Sequence, residues 1–186
     1  MESQFKDWRS DKAGIGLTGH YEKLFLPLKD KPITFLEVGT AHGESLQWAC
    51  EWFHSDAKIL GVDIMYPSLK PEKAQFFEIN QNDTEKLLTL GKDHGPFDII
   101  IDDASHAFKE TVNTFNTLYP YVKKGGMYII EDWGAGYLPQ NDHCKGVETF
   151  VVELIWKYGG TVVNDRGNYA VIHKHLGYGG FALIHK

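Results

Sequence analysis

Five short apolar runs recur along the chain between longer segments of helical period. They are ITFLEV (33–38), KILGVD (58–63), AQFFEI (74–79), FDIIID (97–102) and MYIIED (127–132). Each is apolar continuously rather than at alternate positions, so both faces of each strand must be covered. A parallel sheet between two helical layers provides that cover. Among the intervening segments, Leu46, Ala49, Cys50 and Phe53 share one helical face. Phe108, Val112, Phe115, Tyr119 and Val122 make a second, and Val147, Phe150, Val151, Leu154, Ile155 and Tyr158 a third. Asp83 precedes TEKLLTL and is placed to cap a further helix. The rhythm changes near the C-terminus, where YAVIHKH (169–175) and FALIHK (181–186) flank a Gly-rich turn and read as a hairpin. The expected architecture is α/β, a mostly parallel sheet closed at one edge by antiparallel strands. The first thirty residues are expected to form a helix capping that sheet.

Length and charge narrow the function. At 186 residues one domain is expected, divided into an N-terminal cap (1–30), a cofactor- and metal-binding core (31–132), a loop over the site (133–146) and a C-terminal helix with strand hairpin (147–186). The net charge of −6, with lysines and arginines scattered, argues against nucleic acid as a partner. No apolar run reaches membrane-spanning length, so no membrane partner is expected. The opening MESQFKDWRS is polar, and Cys50 and Cys144 are far apart, outside any metal-type spacing. A reduced, cytoplasmic protein is the expectation.

Ligands of such sheets bind beyond the carboxyl ends of the strands, where the strand order reverses. The first strand ends in EVGTAHGES, with Glu37, Gly39 and Gly43 ahead of a helix. This differs from the three-glycine loop that approaches a pyrophosphate. Two glycines and an acid suit a nucleoside ligand that carries an amine and no phosphate. The second strand ends in Asp63, placed to bind ribose hydroxyls. A structural alternative stands beside this: the glycines permit a tight turn, and Asp63 ends a strand.

The later strands end in acids. IIIDDASH carries Asp102, Asp103 and His106, and GMYIIEDW carries Glu131 and Asp132. Two carboxylates about 4 Å apart repel by roughly 4 kcal/mol at an effective dielectric near 20. Asp103, Glu131 and Asp132 together would take up protons or recruit a cation, with Mg²⁺ (or Mn²⁺) suited to oxygen ligands. Asp102 should point to the opposite face of the sheet and is left out of that set. His106 becomes a general base for a hydroxyl whose pKa a bound cation lowers. Capping and solvated acids are the structural alternative here.

These motifs resemble the metal-dependent sugar O-methyltransferases of the macrocin and mycinamicin group. The resemblance runs from SDK (10–12) through HYEKLF (20–25), FLEVGTAHGESLQWACEWF and LGVDI to IIDDASH and GGMYIIED. It implies a Rossmann-like, three-layer class I methyltransferase fold with a seven-stranded sheet, and S-adenosyl-L-methionine as cofactor. It implies Mg²⁺ on Asp103, Glu131 and Asp132, His106 as base, and a small-molecule hydroxyl acceptor, a sugar. The family's cofactor loop corresponds to Glu37, Gly39, Thr40 and Gly43, with Asp63 at the ribose; Ser45, Asp83 and Asp102 complete the expected cofactor set. Self-association into a homo-oligomer is a further implication.

Three rivals stay open: a catechol-type phenolic O-methyltransferase, a non-catalytic nucleoside- or metal-binding module, and a nicotinamide oxidoreductase. The sister catechol group carries Asp-Asn where this chain has Glu131–Asp132, and Lys in place of His106. Trp133 and Tyr137 either stack on a sugar or pack their loop. Trp48 and Trp52 read as packing or a subunit contact, Cys50 as core, and Lys12 as solvated, with contact to substrate or cofactor the alternative. His173, His175 and His185 are expected at exposed strand positions.

Overall fold

The computed structural model of the protein describes residue 12 and residues 17–138, 140–164 and 180–186. Its strands are β1 (Thr34–Val38), β2 (Lys58–Asp63), β3 (Ala74–Glu78), β4 (Phe97–Asp102), β5 (Val122–Glu131), β6 (Gly160–Asn164) and β7 (Gly180–His185). They form one seven-stranded sheet in the order β3-β2-β1-β4-β5-β7-β6. β1 to β5 pair in parallel, and β7 is antiparallel to both β5 and β6. The five expected parallel strands fall on the five apolar runs.

The hairpin differs in its first strand. β7 pairs with Gly160–Asn164, directly after a helix that ends at Tyr158, while 169–175 lies outside the described residues. The turn is made at Gly159, whose φ of 81° is open to glycine at little cost.

Strand pleating sends alternate side chains to opposite layers. Phe35, Ile59, Ile99, Ile101, Ile129 and Phe181 pack under α1 (Leu17–Phe25) and α2 (Glu44–Trp52). Leu36, Leu60, Ile100, Tyr128, Ile130 and Ile184 pack under α3 (Thr84–His94), α4 (Phe108–Leu118) and α5 (Val147–Tyr158). α1 therefore covers the sheet as a cap should, stacking Tyr21 between Phe25 and Phe181 with centroids 5.2 and 4.8 Å away. Trp48 and Trp52 are core residues of the same layer, stacked at 6.0 Å, which settles them as packing.

Two expected faces shift. α4 buries Thr111, Thr114, Phe115 and Leu118, whereas Phe108 is exposed and Val112 half-buried. The threonine hydroxyls can face inward because they are bonded: Thr114 Oγ1 donates to the Glu110 carbonyl and accepts from Gln81. Cys50 is half-buried rather than core, since Trp48 and Ala49 take the inner positions of α2.

From β1 the chain runs outward to β3 and then returns to β4 on the other side of β1, so the strand order reverses between β1 and β4. The loops leaving these two strands nearly touch. Asp103 N donates to the Val38 carbonyl at 2.8 Å, and Gly39 N to that of Val62 at 2.7 Å. A Cβ on Gly39 would lie 2.2 Å from the Asp103 carbonyl oxygen, and its φ is 90°. Gly39→Ala therefore combines a left-handed backbone penalty with overpacking. It is expected to cost about 2–5 kcal/mol of stability, read as a lowered denaturant midpoint.

Candidate active site

The parity of the strands decides which acids meet. Glu37, Asp103 and Glu131 stand at the carboxyl ends of three neighbouring strands and share the α1–α2 face. Asp102, one residue from Asp103, takes the other face. Asp103 and Glu131 stand level with each other and Glu37 two residues lower, and burial leaves Glu37 at 0% and Glu131 at 4% exposure.

The counter-charge is Lys12, which is buried at 7% exposure rather than solvated. Its ammonium donates to Asp103 and lies 3.0 Å from Glu131 Oε1 and 3.6 Å from Glu37 Oε1. Burial opposes its charge, but Asp103, Glu131 and Glu37 hold its pKa well above the usual lysine range. One ammonium does not balance three carboxylates. Burial pushes Glu37 up to about 7 against the pull of Lys12 and Ser45, whose hydroxyl donates to Glu37 Oε2 at 2.5 Å. Burial and the neighbouring Asp103 raise Glu131 to about 8, and Tyr21 donates its hydroxyl to Glu131 Oε1 at 2.7 Å.

Beside this cluster Asp103, His106 and Asp132 offer ligand atoms that lie within 4.8 Å of one another. His106 Nε2 is 4.0 Å from Asp103 Oδ1 and 3.8 Å from Asp132 Oδ2. Of the expected metal set, Asp103 and Asp132 thus face one point together with His106. Glu131 is turned toward Lys12 and Tyr21, because those two donors satisfy a carboxylate that is otherwise buried. His106 (φ 54°), Asp132 (φ 48°) and Ala41 (φ 44°) are the non-glycine residues with left-handed backbone among those described. All three line one cavity of about 320 Å³, with Lys12, Thr40 and Asp103. Uncommon backbone gathered at one cavity is a mark of a working site.

A second cavity, of about 340 Å³, combines apolar walls from Val38, Val62, Ile79 and Ala104 with the polar Asp63 and Gln81. Its size and mixed lining suit a small ligand with a flat apolar portion and hydroxyls. The two cavities share Gly39, Ala41 and Asp103. Thr40 Oγ1 is buried and makes no hydrogen bond among the described residues, which leaves it available to a ligand.

The expected cofactor residues divide. Gly39 and Asp63 line the second cavity; Gly39, Thr40 and Ser45 line the first. Asp63 also shapes the glycine loop, accepting from the Thr40 and Ala41 amides at 2.9 Å. Gly43, at φ 93°, precedes α2 where a Cβ would strike the Leu69 carbonyl oxygen. Asp83 caps α3, accepting from Lys86 N, and lines neither cavity. Asp102 also lines neither. Burial raises it to about 8, and it accepts from Tyr128 and Gln81. Trp133 is buried in the core and Tyr137 packs against it, so both hold their loop. His185 is exposed on β7, and His173 and His175 lie outside the described residues.

Gln81 had no signature in the sequence. Its amide nitrogen donates to Asp102 Oδ1 (2.9 Å) and Thr114 Oγ1 (3.0 Å), and its oxygen accepts from the Ser105 hydroxyl (2.8 Å). It ties the loop after β3 to the loop after β4. An amide two residues past an apolar strand looks like any loop residue.

A seven-stranded sheet in this order, with β7 antiparallel between β5 and β6, is the class I methyltransferase fold. The chain belongs to the methyltransferase domain family, which it matches over residues 36–133, more than half of its length. It is 36% identical over 139 residues to the 8-demethyl-8-alpha-L-rhamnosyl tetracenomycin-C 2'-O-methyltransferase of Streptomyces olivaceus, covering 70% of this chain and 36% of that protein. It is 33% identical over 129 residues to the mycinamicin VI 2''-O-methyltransferase of Micromonospora griseorubida, covering 66% and 32%. Among solved structures, the MycE methyltransferase of the mycinamycin biosynthetic pathway, in complex with Mg, SAH and mycinamycin VI, superposes with a TM-score of 0.69 at 27% identity. That match covers 91% of this chain and 49% of the other. The chain thus spans about a third of the length of these curated relatives and about half of the solved one. None of the described helices is long and apolar enough to cross a membrane.

Gln81→Ala would leave Asp102, Thr114 and Ser105 without their shared partner. It is expected to lower stability by roughly 2–4 kcal/mol, measured by chemical denaturation.

Proposed function

We propose that the chain is an S-adenosylmethionine-dependent O-methyltransferase that uses Mg²⁺ and acts on a hydroxyl of a sugar or glycosylated small molecule. The observation that carries this reading is the meeting of the two cavities at Gly39, Ala41 and Asp103, with His106 and Asp132 beside that junction. A methyl donor in one cavity and an acceptor in the other would be neighbours there. The activities for which the sugar O-methyltransferases of Streptomyces olivaceus and Micromonospora griseorubida are named, and the Mg and SAH in the MycE complex, support it.

The residues fit both groups. For the cofactor, Gly39 lets the loops after β1 and β4 close on each other, Asp63 Oδ1, which accepts from Ile64 N, keeps a lone pair for a ribose hydroxyl, and Thr40 Oγ1 is available to donate or accept. For the cation, Asp103 and Asp132 supply oxygen donors at one point, and their side chains, at 17% and 21% exposure, can be reached from the cavity. S-adenosylmethionine would supply an electrophilic methyl group, and Mg²⁺ would lower the pKa of an acceptor hydroxyl. His106 takes that hydroxyl's proton at Nε2, with Asp103 and Asp132 placed to stabilise the imidazolium that forms. The acceptor is proposed to be small, in keeping with the cavity of about 320 Å³.

The proximity of His106 to both acids favours one second reading, in which the imidazole is itself a cation ligand. His106→Ala separates the two. As a base, its loss lowers turnover by on the order of 10² or more with S-adenosylhomocysteine and Mg²⁺ affinity retained. As a ligand, its loss weakens Mg²⁺ in calorimetry. Asp103→Asn is expected to weaken Mg²⁺ by roughly 10–100-fold or more, and unchanged affinity would remove Asp103 from the metal set. Calorimetric titration of S-adenosylhomocysteine into the protein tests the cofactor, and no binding with or without Mg²⁺ would defeat the whole reading.

A further inference from the structure

We propose that Lys12 is a resident counter-ion that competes with the divalent cation for the Asp103 and Glu131 carboxylates, so that metal binding displaces its ammonium. This rests on the metal site proposed above and assigns a role to a residue that the site's chemistry does not otherwise use.

The geometry points to exchange rather than coexistence. Lys12 Nζ contacts Asp103 Oδ2, Glu131 Oε1 and Glu37 Oε1, a three-carboxylate cage around one monovalent charge. Asp103 belongs both to this cage and to the Asp103–His106–Asp132 group. A divalent ion drawing on Asp103 would therefore sit next to an ammonium with little water between them, as the Lys12 side chain is only 9% exposed. Like charges so placed repel strongly where solvent does not screen them. Glu131 would also be held from the ion so long as Lys12 and Tyr21 occupy its Oε1. Withdrawal of the ammonium removes the repulsion and one of the two contacts that hold Glu131 Oε1, leaving the Tyr21 hydrogen bond. A lysine is suited to this, being a compact charge on a flexible stem that gives up no bidentate geometry on leaving.

The acids need such a stand-in. Without any cation, the buried Glu37 and Glu131 and the half-buried Asp103 would stand together with no positive partner among the contacts of this cage, a costly arrangement for carboxylates. Lys12 lets the strand ends fold before metal arrives, and it sets a threshold that weakly held cations do not pass. It is a positioning residue, acting through Asp103 and Glu131.

Titration of MgCl₂ into the full chain and into Lys12→Met, by calorimetry, tests this. The variant is expected to bind Mg²⁺ about tenfold or more tightly than the parent, and its melting temperature, lowered without metal, is expected to rise more steeply with Mg²⁺. Equal or weaker Mg²⁺ binding by a folded Lys12→Met protein overturns the exchange while leaving the metal site in place. Absence of Mg²⁺ binding in both proteins overturns the exchange together with the metal reading beneath it. Should the variant not fold, amine acetylation of the parent protein decides, read by peptide mass spectrometry. Severalfold faster labelling of Lys12 with Mg²⁺ supports displacement, and unchanged or slower labelling overturns it.

Discussion

Parity along the strands is the constraint from which the site follows. A strand turns successive side chains to opposite faces, so an acid at one strand's end meets only those acids that share its phase. Glu37, Asp103 and Glu131 share a phase on β1, β4 and β5, and the α1–α2 layer closes over them. What that layer brings is a cation and a hydroxyl: Lys12 and Tyr21. A sheet ending in two buried carboxylates and a half-buried third would be unstable by itself, and the cap makes it tenable. Removing the cap's polar residues would therefore be felt at the strand ends before it was felt in the apolar core.

The same parity gives adjacent aspartates unlike duties. Asp102 falls among apolar side chains on the α3–α5 face, where burial raises its pKa to about 8 and Tyr128 and Gln81 donate to it. Hydrogen-bonded to both and lining neither cavity, it is part of the packing behind the site rather than a ligand. Asp103 lies past the end of β4, at the switch point, and is common to both cavities with Gly39 and Ala41. One Asp-Asp step thus joins the core on one face of the sheet to the site on the other. No rearrangement of helices is required to explain the difference.

How much of this the sequence disclosed depended on range. The parallel strands were legible because each apolar run is continuous and bounded, and the opposite orientation of Asp102 and Asp103 follows from pleating alone. The Asp83 cap was legible too, since it acts on an amide three residues away. The strand Gly160–Asn164 was not, being five residues that continue the apolar character of α5 with no break except two glycines. The inward Thr114 of α4 was hidden because its hydroxyl depends on Glu110 and Gln81. Lys12 was the largest miss. It pairs with an acid 91 positions away, and a lysine in a polar segment reads as solvated. The clue was a charge count: three acids delivered to one face require a cation, and Lys12 and the residues around Tyr21 were the conspicuous motif upstream of the glycine loop.

The backbone divides the two cavities as the side chains do. Gly39 borders both cavities and takes its left-handed conformation at little cost. His106 and Asp132 take theirs at a cost that residues with a Cβ do not ordinarily bear, and they line the other cavity only. Such conformations persist where surroundings over-determine them. At Asp132 the amide is fixed to the Gly180 carbonyl and its own carbonyl accepts from Ala135, so β7 and the following turn hold it from both sides. Ala41, also left-handed, lines both cavities, so two of the three such residues stand only where a proton and a charge would be handled and the third at the junction. That asymmetry is hard to explain for a module that only binds, because binding alone needs no imidazole set between two carboxylates. It accords with catalysis at the cavity that holds His106 and Asp132 and cofactor binding at the one that holds Asp63.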